Sequence, residues 1–300
     1  MKMKTQSNSS VVTVNGVTYF MEPKLIRVWD SLRGNKLVEK DEDRIYIVDG
    51  RERSGKSLFA IQQAAYIDPT FAKNISGRIC FTPEDFLKAI RSCPKGSVII
   101  FDEAFRGLSS RSAVSKVNKL IIQALMEAGQ RNLILFIVLP SFFMLDIYAA
   151  MHRSTCLFHV YKSKQGRRGY FRVYNYKKKA QLYQIGLKKG MSYRKPFSKF
   201  AGRFYGKYPI DEEQYRKMKY DALIQSEMNP KAGYNNKWEI RSKKMIALLK
   251  KELNLSFKDL GDLFKRHDID LERSQLTNIY KEMATVPQKP TNSTTTIYSK

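Results

Sequence analysis

The chain has 300 residues, 43% apolar and 27% charged, which is enough apolar material for a buried core and excludes a wholly disordered, collagen-like or membrane-embedded protein. Its 54 Lys+Arg against 28 Asp+Glu leave a formal net charge of +26, which self-repels unless a polyanion screens it. Nucleic acid is therefore the first partner expected and an anionic lipid surface the second. Cys80, Cys93 and Cys156 are widely spaced and form no CxxC or Cys/His cluster, which argues against a disulfide framework or a zinc site and for a reducing compartment.

Residues 1–10 are polar with no apolar segment behind them, so no secretory signal is read there. From 11 to 20, two β-branched runs flank Asn15-Gly16, a pair that tolerates two successive positive φ angles, and the pattern predicts a small decorating hairpin. A polar, charged stretch follows to about 43. Residues 44–49 then read as a short buried strand ending at Gly50. From here strand and helix alternate: helix 56–66, strand 78–81, helix 83–91, strand 97–102, helix 116–128 and strand 133–139. A last strand, 155–161, turns back through Gln165-Gly166-Arg167-Arg168-Gly169 into 170–176. The alternation predicts an α/β fold with a mainly parallel sheet flanked by helices, closed by an antiparallel edge hairpin. The nearly apolar stretch 133–151 contains Pro140, Ser141 and Asp146, so it reads as a buried strand and a following helix, not a membrane span.

After 176 the composition changes. Lys162 to Lys219 holds eighteen Lys/Arg against three acids, with eight Tyr and four Phe interspersed, combining phosphate-neutralising charge with rings able to stack on bases. A solvated face over a modest aromatic core is the competing reading of this stretch. Beyond 229–233, three amphipathic segments, 243–253, 256–265 and 272–283, resemble a helix-turn-helix bundle, with a small protein-contact domain as the alternative. Residues 286–300 are rich in Thr, Ser and Pro and read as a flexible tail.

Gly50-Arg51-Glu52-Arg53-Ser54-Gly55-Lys56-Ser57 matches the Walker A pattern G-x-x-x-x-G-K-[ST], and it falls between a predicted strand and a predicted helix, as that pattern requires. Glycines let successive backbone N–H groups point inward at phosphate oxygens, Lys56 is placed for the β- and γ-phosphates, and Ser57 for Mg²⁺. Downstream, Val98-Ile99-Ile100-Phe101-Asp102-Glu103 is an apolar strand ending in two carboxylates, as a Walker B segment does. Asp102 is expected in the Mg²⁺ shell and Glu103 as the group that polarises an attacking water; alone, the pair would read as a turn or helix cap. Glu52 is discordant, because a carboxylate inside a phosphate cradle repels the ligand unless it points outward. The cofactors expected are ATP and Mg²⁺.

These segments, together with Glu127-Ala128-Gly129-Gln130-Arg131-Asn132 running into 133–139 and Pro140-Ser141, resemble the FtsK/HerA superfamily of P-loop ATPases. Within it the likeness is to viral genome-packaging ATPases and to the zonular-occludens-toxin-like assembly ATPases of filamentous phages. The resemblance covers about residues 41–176. It implies a DNA translocase that threads DNA through a homo-oligomeric, usually hexameric ring, and the partner expected is DNA, double-stranded and, from the basic charge, held mainly through its phosphates. An arginine of one subunit reaches the neighbour's γ-phosphate; Arg111, Arg131 and Arg153 are candidates, each against an ordinary surface arginine. Such proteins often end their fourth strand with a Gln; Leu139-Pro140-Ser141 has none, leaving Ser141 as the polar candidate.

The expected organisation is thus an amino-terminal hairpin and extension (1–40), a P-loop ATPase core (41–176), a basic aromatic-rich region (177–232), a small helical domain (233–285) and the tail (286–300). The function expected is an ATP-hydrolysing motor that moves viral or plasmid DNA. It would act in the host cytoplasm or with a virion, beside a capsid or membrane assembly partner. The alternative is an ATP-switched nucleic-acid-binding or phage-assembly protein at a membrane, without motor activity.

Overall fold

Asn15 and Gly16, with φ of 50° and 75°, make the tight turn between β1 (Val11–Val14) and β2 (Val17–Met21). The computed structural model describes residues 10–34, 36–102, 111–228, 236–267 and 271–284. After β2 come α1 (Pro23–Asp30), α2 (Lys36–Glu39) and β3 (Arg44–Asp49). The alternation then runs α3 (Lys56–Ile67), β4 (Ile79–Cys80), α4 (Pro83–Ser92), β5 (Val98–Phe101), α5 (Arg111–Gly129), β6 (Ile134–Leu139) and β7 (Cys156–Tyr161). β8 (Tyr170–Tyr174), α6 (Tyr176–Lys188), β9 (Phe200–Gly206) and α7 (Glu212–Met228) complete the larger of two compact units, which ends at Met228.

The nine strands among the described residues form one sheet in the order β1-β2-β9-β8-β7-β3-β6-β5-β4. β7, β3, β6, β5 and β4 are parallel, and β7, β8, β9, β2 and β1 are antiparallel. The fold is therefore α/β, with a mixed sheet. The central strands are apolar on both faces because helices cover both: β5 and β6 are buried at every position. One core gathers Trp29 of α1 and Phe59 of α3 with Tyr46, Phe136 and Phe158. The other sets α4, α5 and α6 against Ile47, Phe101, Ile137 and Leu157.

Three expectations change. The hairpin is not a decoration, because β2 pairs with β9 from Tyr19 to Met21 and extends the sheet. The polar stretch before residue 43 hides α1, whose Trp29 is fully buried and donates its indole N–H to Gln63 Oε1 at 2.7 Å. The basic aromatic stretch after 176 is not separate from the core: β9 pairs with β8, and β8 ends at Tyr174 because the Asn175 side chain caps α6 instead. The stretch 133–151 holds β6, a 3-10 turn and a π-helical turn, Tyr148–Arg153. Among the described residues no helix is long and apolar enough to cross a membrane.

The second unit, from Asn229, contains α8 (Asn236–Glu252), α9 (Phe257–Lys265) and α10 (Arg273–Ala284). Ser256 and Asp259 form a reciprocal capping box at the start of α9, and Leu260 of α9 and Leu276 of α10 are fully buried. The tail 286–300 lies outside the described residues.

Candidate functional site

The turn from β3 into α3 carries Gly50 to Ser57 at the carboxyl end of the parallel strands. Gly50, Arg53 and Gly55 have φ of 142°, 56° and 99°, so the chain winds back on itself instead of continuing the strand. Gly50 is required sterically as well, since a Cβ there would lie 2.0 Å from the Val160 carbonyl oxygen of β7. Lys56, the first residue of α3, folds back over the loop: its ammonium donates to the carbonyls of Gly50 at 2.7 Å and Arg51 at 3.0 Å. Ser54 is 1% exposed, and its hydroxyl has no hydrogen-bond partner among the described residues. Arg51, Glu52 and Arg53 are all exposed, so the Glu52 carboxylate stays in contact with solvent.

Asp102 follows β5 directly and is 1% exposed. β6 stands between β3 and β5, yet α3 crosses the sheet so that the Ser57 hydroxyl donates to Asp102 Oδ1 at 3.0 Å. Asp102 Oδ2 accepts from Tyr215 Oη at 2.7 Å and from Lys219 Nζ at 3.4 Å, both on α7. Burial first, and the Asp102 charge next, push the Tyr215 hydroxyl above its ordinary range, so it stays a donor. Ser57, Tyr208, Tyr215, Arg216 and Lys219 line a cleft of about 360 Å³ beside this carboxylate.

A second buried carboxylate braces the loop from below. Asp49, the last residue of β3, is fully buried, with His159 Nδ1 2.9 Å from its Oδ1. Its Oδ2 accepts from the Phe142 N–H at 2.9 Å and from Tyr193 Oη. The Tyr193 ring stacks on His159 with centroids 4.0 Å apart, and its hydroxyl lies 3.3 Å from Ser141 Oγ. The carboxyl ends of β3, β6 and β7 are thereby tied together immediately before Gly50, and Ser141 belongs to this brace.

Of the expected site residues, the structure brings Gly50, Ser54, Gly55, Lys56, Ser57 and Asp102 to one place. Glu103 lies outside the described residues, and so does the side chain of Arg111, whose backbone opens α5. Arg153 and Arg131 are placed by contacts within the chain. Arg153 donates to Asp43 Oδ2 at 2.6 Å and to the Leu125 carbonyl at 2.7 Å, and Arg131 to the Cys93 carbonyl at 2.7 Å. Both guanidinium groups make these contacts near the amino ends of β7 and β6, at the opposite end of the parallel strands from Gly50–Ser57.

Asp49, His159, Tyr193, Tyr215 and Lys219 did not stand out in the sequence. The available signals were a carboxylate ending a buried strand just before Gly50, and a Tyr–Lys pair spaced one helical turn apart in a polar helix.

A phosphate-bearing ligand fits these groups: the loop is closed by glycine geometry, carries a buried unpaired hydroxyl and an ammonium, and opens at a helix amino end. A divalent cation fits the Ser57–Asp102 oxygen pair, since hard cations take hydroxyl and carboxylate oxygens. Fold and site thus define an α/β protein on a mixed nine-stranded sheet, with a polar loop at the end of β3. No model of a known protein family matches the chain, and no curated protein sequence matches it.

Proposed function

We propose that this chain is a Mg²⁺-dependent P-loop ATPase that uses hydrolysis to move DNA, assembled as a homo-oligomeric ring. The observation that carries the reading is the 3.0 Å contact between Ser57 Oγ and Asp102 Oδ1, made across an intervening strand beside Lys56. Two groups 45 positions apart meet at the one place where the Walker A and Walker B roles need them to meet.

In this reading the backbone N–H groups of 51–57 and the amino end of α3 hold the phosphates. Lys56 exchanges its carbonyl acceptors for phosphate oxygens, and Ser57 and Asp102 hold the cation. Glu103, next to Asp102, orients and deprotonates the attacking water. When bound, Mg·ATP supplies an activated phosphoryl group with its charge partly neutralised. An arginine, with Arg111, Arg131 and Arg153 the candidates, reaches the γ-phosphate of a neighbouring subunit. The +26 net charge and the basic 162–219 stretch supply the attraction for DNA.

Steady-state ATP hydrolysis with and without DNA tests this. Lys56→Ala, Asp102→Asn and Glu103→Gln are each expected to lower turnover by about a hundredfold or more, and Glu103→Gln to keep nucleotide binding. Turnover that survives Lys56→Ala would overturn the assignment. The engagement of Asp102 by Tyr215 and Lys219 favours, as a second reading, a nucleotide-operated switch; it wins if ATP binds and turnover stays negligible with every DNA tried.

A further inference from the structure

The parallel half of the sheet is covered by helices on both faces, whereas in the antiparallel half α6 covers one face only at the Leu157–Tyr174 end, and among the described residues no helix packs on the rest of that face. On the other face, Phe171, Val173, Phe204, Tyr19 and Met21 are buried in the core with α1 and α3. Antiparallel partners share a face, and the register sets Tyr161, Tyr170 and Arg203 in one row on the opposite side, with Arg172 beside them and Tyr205 and Phe20 in the next row. None of these six side chains is buried, and Tyr205 is 53% exposed.

Their arrangement is ordered. Phe20 and Tyr205 stack with centroids 4.6 Å apart and planes at 7°, and Tyr161 and Tyr170 lie 5.9 Å apart. Arg172 sits over Tyr161 at 4.8 Å and Arg203 over Tyr170 at 5.5 Å. Neither guanidinium has a carboxylate partner among the described residues. The turn between β7 and β8 adds exposed Lys162, Lys164, Arg167 and Arg168 and no acid. Cross-strand ring pairs and cation–π contacts stabilise the strands, but the accumulation of same-sign charge around them costs folding through repulsion.

We propose that this open face is a stacking platform for unpaired nucleic acid, with bases on the rings and phosphates on the flanking Arg and Lys side chains. It spans about 15 Å from β7 to β2 at about 4.8 Å per strand, room for two or three bases. A duplex keeps its bases paired and stacked, so it offers these rings nothing, whereas every unpaired base has a free π-face. The inference rests on nucleic acid being the partner, as in the function proposed above, and is independent of whether ATP is hydrolysed.

The test is fluorescence anisotropy of labelled oligothymidylate, oligouridylate and a duplex of equal length with the full chain, at about 150 mM salt and without nucleotide. A single strand, of either sugar, is expected to bind about tenfold or more tightly than the duplex. Tyr170→Ala with Tyr205→Ala should weaken it by about tenfold or more, while Tyr170→Phe with Tyr205→Phe stays within about twofold, because the rings remain. Tyr205→Ala alone, at the most exposed ring, serves if the double variant does not fold. Three results would overturn the platform: duplex bound as well as single strand, ring removal without effect, or ring removal that changes the sedimenting oligomer but not oligonucleotide affinity. A chain that binds single strands through these rings but never hydrolyses ATP would refute the ATPase and leave the platform standing.

Discussion

Gly50 sets the shape of the loop. With φ at 142° and the Val160 carbonyl 2.0 Å from where a Cβ would sit, Gly50→Ala must push the loop off β7. The expected cost is about 3 kcal/mol, read as a lower urea midpoint, together with loss of nucleotide binding. A second residue-scale expectation concerns Lys179 of α6, which is fully buried and donates to Ser154 O at 2.5 Å and Ser154 Oγ at 2.6 Å. Burial depresses its ammonium from 10.5 to about 8. Below about 8 the group is charged whether folded or not, and the burial penalty is present in full. Between about 8 and 10.5 the unfolded chain binds the extra proton, so this residue makes stability rise with pH across that window. Wild type minus Lys179→Met should show that rise in chemical denaturation; a difference flat in pH would contradict it. Lys56, Ser57 and Asp102 were legible in the sequence because their chemistry imposes a spacing. Tyr215 was not, because it reaches Asp102 across 113 positions that only the fold closes.

Among the elements, α7 matters most to the site. It carries Tyr215 and Lys219 onto the carboxylate that Ser57 also contacts, so a cation at Asp102 meets a competing positive charge already in place. Lys219→Met is therefore expected to lower the Mg²⁺ concentration giving half-maximal binding of a fluorescent ATP analogue, by about threefold or more. An unchanged or higher requirement would show that Lys219 supports the site. The Asn15-Gly16 hairpin and the central strands were legible, since turn chemistry and fully apolar runs are local properties. β9 and α1 were not. β9 shows aromatic and basic residues to solvent on one face, which masks its alternation, and α1 lies in a charged stretch where Trp29 is anchored by Gln63, 34 positions away.

At the scale of the molecule, every strand among the described residues belongs to the unit ending at Met228, and the unit holding α8, α9 and α10 begins at Asn229. A chain truncated after Met228 is expected to fold cooperatively with the full chain's nucleotide affinity; aggregation or loss of nucleotide binding would show that the sheet depends on the second unit. The apparent break in composition at residue 176 did not mark a boundary, because charge reports on the surface and strand pairing decides the domain. The net charge of +26 places a further demand on the whole: DNA affinity should fall steeply and log-linearly with salt. The central claim is that hydrolysis at Ser57 and Asp102 moves the chain along DNA, and displacement of streptavidin from a biotinylated DNA end tests it most directly. Displacement that requires ATP and Mg²⁺ and disappears in Lys56→Ala is the expected result. DNA-stimulated hydrolysis with no displacement, or displacement that proceeds equally well without ATP, would contradict it.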